Sequence, residues 1–598
     1  MINAVGVGGP ALNPLPKEVT TVPARLDPGY RAVALDTLRS SQFDVLVIGG
    51  GVVGTGAALD AASRGLSVAL IEARDWAAGT SSRSSKLIHG GLRYLEQLDF
   101  GLVREALRER ARLLHRLAPH LVRPVPFVYP LRHRAWERAY VGAGVLLYDT
   151  IGGARALPPH RHLSRRRLLA MSPSLRSDAL TGAIRYYDAQ VDDARFTMTL
   201  ARTAAQHGAT VLTRVAATRL LVDRGRVVGA EVRDAASGRE FAVQARRVIS
   251  ATGVWTDEIH RLAGTEGEFR VSMSKGVHIL VPRERIDLAT GLIMRTEKSV
   301  LFVIPWDEHW IIGTTDTPWS LDRANPAASG ADVDYILDHV NAVLRHPLTS
   351  ADIVGIYAGL RPLLAGRSDE TTKLSREHAV TEPVPGLFVV AGGKFTTYRV
   401  MAADVVDAAA SGLGSEVAPS LTHRLPILGA VGFHEMWANR SALAARTGVG
   451  LPVIERLLGR YGTIVTDLLG MIERDAVLAE PVDGAEQYLR AEIIYAATHE
   501  GALHLEDVLA RRTRIMIDTP DRGERAAPPV AEMIATHLGW DAQTAAAEVA
   551  AYRARIHAER AAQQAPDDRS ANAVLADADQ TCSETRTATV SGSSALNT

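Results

Sequence analysis

Gly49, Gly51 and Gly54 have the spacing that brings a peptide backbone up against a pyrophosphate, and Glu72 follows where an acid can meet a ribose diol. Each glycine has a separate task. Gly49 permits a tight turn, Gly51 lets backbone N–H groups approach the phosphates, and Gly54 lets helix and strand pack closely. Gly50, Val52 and Val53 complete the loop. The elements that must position these residues are written on either side. Val45 to Ile48 is an apolar run that reads as a buried strand. An Ala-rich helical pattern follows and gives way at Arg64-Gly65, so the positive end of a helix faces the phosphates. A second apolar run, Leu66 to Ile71, closes on Glu72. With both strands, the helix and the terminal acid in order, this is a site for a flavin or nicotinamide dinucleotide.

The rest of the chain sets the frame. At 598 residues it exceeds one typical core, so two or three domains are expected. A hydrophobic content of 46% with 22% charged residues fits a soluble globular protein. The single cysteine, Cys582, lies in a polar tail, which excludes an intrachain disulfide framework, a Cys-ligated zinc and a Cys-held iron–sulfur cluster. A reducing, cytoplasmic setting is expected. The first residues lack the basic and apolar regions of a secretory signal, and no run approaches the roughly 20 apolar residues of a membrane span.

Short alternating strands occupy 208–251, ending at Thr252-Gly253, and a further β-rich stretch spans about 270–315. GLFVVAGGKFTTYRVMAADVVDAAA then gives a strand, a Gly-Gly turn and a helix that returns the chain to the first sheet. Beyond about residue 425 the pattern is helical. Strands of the nucleotide domain thus alternate with β-rich insertions.

Eight motifs together resemble the FAD-dependent, quinone-linked glycerol-3-phosphate dehydrogenases: VLVIGGGVVGTG, SSRSSKLIHGGLRYL, VDDAR, ATGVWTD, KGVHILVP, FVIPW…IIGTTDTP, GLRPLL and AGGKFTTYR. They fall in family order from residue 42 to about 520, including the helical EIIYAATHEGALHLEDVLARRTRI. The resemblance implies an α/β fold: a Rossmann-like FAD-binding domain (42–120, 190–260 and 350–425), an inserted antiparallel β substrate domain (about 121–190 and 261–350), and a C-terminal helical cap over 426–560. Residues 1–41 and 561–598 read as disordered from their composition. No second GxGxxG follows a strand, so FAD is held alone, without a pyridine-nucleotide site. Electrons then come from an organic substrate and leave to a quinone or to oxygen.

The same resemblance places Ser81, Ser82, Ser85 and Lys86 along the flavin, with Val215, Gly253, Gly393, Lys394 and Thr396 as further cofactor contacts. It offers Arg93, Arg361 and Arg376, with Tyr94 and Lys394 beside them, for the phosphate of glycerol 3-phosphate, to which arginine's planar fork is suited. Arg361 sits among apolar residues and therefore needs a partner, either substrate or acid. Oxidising a secondary alcohol also requires a base. His89 is the first choice and His278 the second, while Arg361 could polarise the substrate oxygen instead. A glycerol-3-phosphate oxidase that uses oxygen, or a non-catalytic flavin-binding paralogue, is the alternative reading.

Zero net charge hides one local asymmetry. Leu102 to Arg167 carries fourteen Arg and no Lys against four acids, with Trp and Tyr interleaved. That mixture suits peripheral contact with an anionic membrane, where a quinone resides; a solvated basic face or a homodimer contact is the alternative. No nucleic-acid-binding fold accompanies the charge.

Overall fold

The computed structural model describes residues 24–91, 99–133, 136–151, 157–178, 180–297, 300–365, 378–414 and 416–578. Two large sheets organise it, and a helical cap leans on both.

Among the described residues the first sheet has eight strands. Gln42–Ile48 is central, pairing in parallel with Val68–Ile71 on one side and Glu240–Ser250 on the other. Thr210–Leu212 and Leu387–Gly392 extend the parallel run outward. Central strands of this kind are covered on both faces and read as continuous apolar runs, which is why VLVI and VALI carry no alternation. Helices Val52–Ser63, Asp193–Gln206 and Tyr398–Ala410 bury one face, with Val47, Leu70, Ala58 and Val405 almost fully enclosed.

The second sheet has ten strands, most of them antiparallel. Arg270–Pro282 pairs with Gly355–Ala365 over eleven registered positions and also with His309–Gly313 and Thr317–Trp319. Gly355–Ala365 and the short strand Leu87–Ile88, both within segments expected in the FAD-binding domain, pair in the second sheet. Pairing partners far away in sequence decide such membership, and composition does not carry them.

Two segments expected to be disordered are ordered within the described residues. Pro28–Ser40 is a helix whose Asp27 side chain caps the Tyr30 N–H at 2.7 Å. Ala34 and Leu38 are buried against the first sheet, and the Tyr30 hydroxyl accepts the Val211 N–H at 3.0 Å. At the other end, helix Ala542–Ala562 is followed by a second helical stretch, 568–578, with Ala571 and Leu575 buried. In both segments the buried Ala and Leu residues stand at helical spacing, diluted in a polar composition. Residues 1–23 and 579–598 lie outside the described residues.

Candidate active site

A cavity of about 520 Å³ opens where the C-terminal ends of the first sheet's parallel strands face the second sheet. This is the crevice where open α/β sheets take their ligands.

The glycine loop forms one wall. Gly49 has φ +114°, and a Cβ there would lie 2.6 Å from the Ala251 carbonyl oxygen of the neighbouring strand. A Cβ on Gly54 would stand 1.9 Å from the Gly49 oxygen, so the helix can approach its strand only without a side chain. Gly49, Gly51, Val52 and Val53 line the cavity; Gly50 and Gly54 do not, and serve packing. Gly50 is confined instead by Glu72 and Trp76, each 2.8 Å from the place of its Cβ. Glu72 also lines the cavity, with its carboxylate accepting the Gly50 N–H at 2.6 Å and the Arg74 N–H at 2.7 Å. Burial pushes that carboxyl above the usual range.

The serine segment after the second strand divides in two. Ser81 and Ser85 face the cavity, and the Ser81 hydroxyl accepts the Val52 N–H at 3.0 Å. Ser82 and Lys86 do not line it. The Lys86 ammonium turns into the protein, 2.9 Å from Asp193 and 3.2 Å from the Ser82 carbonyl, with Tyr357 and Trp306 rings beside it. Its expected place along the cofactor is thus corrected: a fully buried cation goes where a carboxylate is, and Asp193 supplies one. The VDDAR motif has the same role more widely, since Asp193 also receives the Ser84 hydroxyl and the Arg514 guanidinium.

His89 and His278 both border the cavity. The His89 backbone is fastened to Thr396, whose hydroxyl lies 3.1 Å from the His89 nitrogen and 3.2 Å from its carbonyl oxygen. The next residue is tied to a buried chain: the Gly90 N–H meets the Tyr148 hydroxyl at 2.7 Å, and that hydroxyl donates to Asp188 at 2.7 Å. His278 is more tightly specified. Its Nε2 lies 2.8 Å from the Ser85 hydroxyl, and its ring stacks on Tyr357 at 4.8 Å. Burial, then the nearby Arg361 and Lys86 cations, hold its pKa well below the ordinary histidine value. The imidazole is therefore neutral around pH 7.

Arg361 comes from the second sheet and reaches the cavity from above Gly276 and Thr314. Its guanidinium lies 3.2 Å from Asp316 and 3.0 Å from the Thr314 hydroxyl. The partner that its apolar surroundings demand is an acid. Asp316 stands within IIGTTDTP, but nothing in linear spacing connects it to Arg361, so it was missed. Val215, Gly253, Gly393, Lys394 and Thr396 all line the cavity. So do Arg74, Arg83 and Trp255, which carried no signal as isolated residues. Arg93, Tyr94 and Arg376 lie outside the described residues.

The glycine cradle, the enclosed acid and the cavity fit a flavin dinucleotide, and comparison with known proteins agrees. A family model described as FAD dependent oxidoreductase matches residues 44–408, and one described as the C-terminal domain of alpha-glycerophosphate oxidase matches 420–545. Glycerol-3-phosphate dehydrogenase 2 of Mycobacterium tuberculosis is 56% identical, over 94% of this chain and 96% of its own. The human mitochondrial glycerol-3-phosphate dehydrogenase is 36% identical over 87% of this chain and 74% of its own. Among solved structures, the glycerol-3-phosphate dehydrogenase from Bacillus halodurans complexed with FAD superposes with a TM-score of 0.73 at 28% identity, covering 89% of this chain and 98% of that one. The chain belongs to the FAD-dependent glycerol-3-phosphate dehydrogenases.

Proposed function

We propose that this enzyme oxidises glycerol 3-phosphate to dihydroxyacetone phosphate and passes the electrons to a quinone in an anionic membrane on which it rests, at the inner face of the cell membrane. Gly49, Gly51, Glu72 and Ser81 would hold FAD, which when bound would supply the acceptor for the hydride of the substrate carbon. The remaining work belongs to the chain. Arg361 and Lys394 offer cationic donors to the phosphate, and the resemblance adds Arg93, Tyr94 and Arg376. The neutral His278 imidazole, oriented by Ser85 and Tyr357, is the base for the hydroxyl proton, with His89 as the alternative. His278 is preferred over His89 because its surroundings fix its ring orientation in the cavity wall.

One observation carries the membrane reading. Helix Trp136–Ile151 presents Trp136, Ala139, Tyr140, Ala143, Leu146 and Leu147 to solvent, with Trp136 64% and Leu146 54% exposed. Its charged residues are tied to neighbours: Glu137 accepts the Arg132 and His133 N–H groups, Arg138 donates to the Leu163 carbonyl, and Asp149 holds His160. The exposed Arg161, Arg165, Arg166 and Arg167 follow close by in the chain. An uncharged apolar face beside arginines is the chemistry of an interfacial helix. No described helix is long and apolar enough to cross a membrane.

Oxygen is the second acceptor to weigh, because the C-terminal match is to an oxidase domain. Turnover on anionic vesicles with and without an embedded quinone separates the two. Quinone reduction matching substrate consumption, with little peroxide, is expected. Equimolar peroxide in the presence of the quinone would assign oxygen instead.

A further inference from the structure

The end of the described chain does not trail away from the molecule. After helix Ala542–Ala562 it turns, and 568–578 lies across the second sheet with Ala571 and Leu575 buried against Trp319, Ala327 and Leu360. Asp568 is the polar fastening. Its carboxylate meets the Lys275 ammonium and accepts the Ser329 hydroxyl at 3.0 Å. Lys275 is fully buried; it also donates to Asp332 at 2.5 Å and to the Ala327 carbonyl at 3.2 Å. The Gly330 N–H adds a bond to the Ala565 carbonyl at 2.8 Å. The last helical turns thus grip the chain at 327–332.

The residues just before that grip, 322–325, contribute Ala324 to the cavity wall. Arg74, two positions past Glu72, and Arg83 both donate to the Ala324 carbonyl at 3.0 Å. The same two guanidinium groups reach the Asn325 side chain at 3.4 and 3.2 Å. On the far side Arg323 pairs with Glu258 at 3.1 Å. This loop therefore joins two walls of the cavity, one built from the segment after Glu72 and one from the helix after Gly253. Burial and the adjacent Arg74 lower the Arg83 guanidinium to about 9, so the loop's two acceptors meet cations that burial already disfavours.

We propose that residues 563–578 act as a strap that holds the 322–329 loop across the cofactor cavity, so that this segment sets how fast FAD leaves. Asp568 is a positioning residue in this scheme. It touches no cavity atom and acts through Lys275, Ser329 and the loop. The inference rests on FAD occupying the cavity and is independent of which acceptor the enzyme uses.

The test is release of FAD from the holoenzyme, read as the rise of free-flavin fluorescence on dilution. A chain ended at Gln563 is expected to release FAD about tenfold faster, and Asp568→Ala about threefold faster, the weaker effect reflecting the Asp332 contact that Lys275 keeps. Asp568→Glu and a chain ended at Ala578 should stay within about twofold of the full chain. The KM for glycerol 3-phosphate, measured with saturating FAD, should not change. Release at the full-chain rate from the shorter truncation, with its circular dichroism unaltered, would overturn the proposal. So would a chain ended at Ala578 that releases as fast as one ended at Gln563. Should the truncation fail to fold, the Asp568 pair decides: equal rates for Ala and Glu contradict the strap, and rescue by Glu supports it.

Discussion

Burial beside Arg361 and Lys86 holds His278 neutral, and two consequences follow. If it accepts the substrate proton, kcat/KM should fall on the acid side only below about pH 6.5, because protonation removes the base. His278→Gln should erase that limb and cost on the order of a hundredfold in kcat. A retained limb would move the role to His89. The same depressed pKa is a stability term with a definite sign. The unfolded state binds the proton first, so the contribution is complete above about pH 6.5 and is lost as pH falls toward the folded value. The difference in Tm between wild type and His278→Gln should therefore shrink from pH 7 to pH 5. Gly54→Ala is the complementary probe. Its methyl would lie 1.9 Å from the Gly49 oxygen, which forces the helix off its strand at a cost of about 1–3 kcal/mol; the purified protein should carry far less FAD, measured as the flavin-to-protein absorbance ratio. At this scale the glycines and Glu72 were legible, because their chemistry depends on neighbours in the chain. The sequence does not show that the Lys86 ammonium turns to Asp193, 107 residues away, nor that Arg361 meets Asp316, 45 residues away.

Helix Trp136–Ile151 shows what an element can hide. Its sequence announces a basic, aromatic region, but only the fold shows that the charged side chains are tied to neighbours while Trp136, Tyr140, Leu146 and Leu147 remain outside. The double variant Trp136→Glu, Leu146→Glu should reduce partition onto anionic vesicles by about tenfold at low salt, with turnover of a water-soluble acceptor unchanged. Unaltered partition would remove this helix from the proposed membrane contact. The short parallel strands and the helix after Gly51 were readable from apolar runs and punctuation. The pairing of Arg270–Pro282 with Gly355–Ala365 was not, since an antiparallel partner some 80 residues distant leaves no local pattern. Nor did composition reveal that Pro28–Ser40 and 568–578 dock, because each is held by a few buried Ala and Leu residues and by polar partners distant in the chain.

Across the whole molecule, the cap is fastened to the FAD-binding part by buried ion pairs. Asp75, three residues past Glu72, accepts from the two terminal guanidinium nitrogens of Arg512 at 2.7 Å and from the Arg511 Nε at 2.5 Å. Removing one member of such a set leaves buried charge uncompensated, at about 3–5 kcal/mol. Asp75→Ala should lower Tm and expose the cap to limited proteolysis; an unchanged Tm would show the contact to be dispensable. The family motifs are readable in order along the chain, whereas the cap's attachment depends on arginines whose acid, Asp75, lies more than four hundred residues away. The chemistry of the cavity between the two sheets can be watched directly. Anaerobic titration of the holoenzyme with glycerol 3-phosphate should bleach the visible flavin absorbance in proportion to substrate added, with dihydroxyacetone phosphate formed in equal amount. A flavin spectrum that remains oxidised under excess glycerol 3-phosphate would contradict the account.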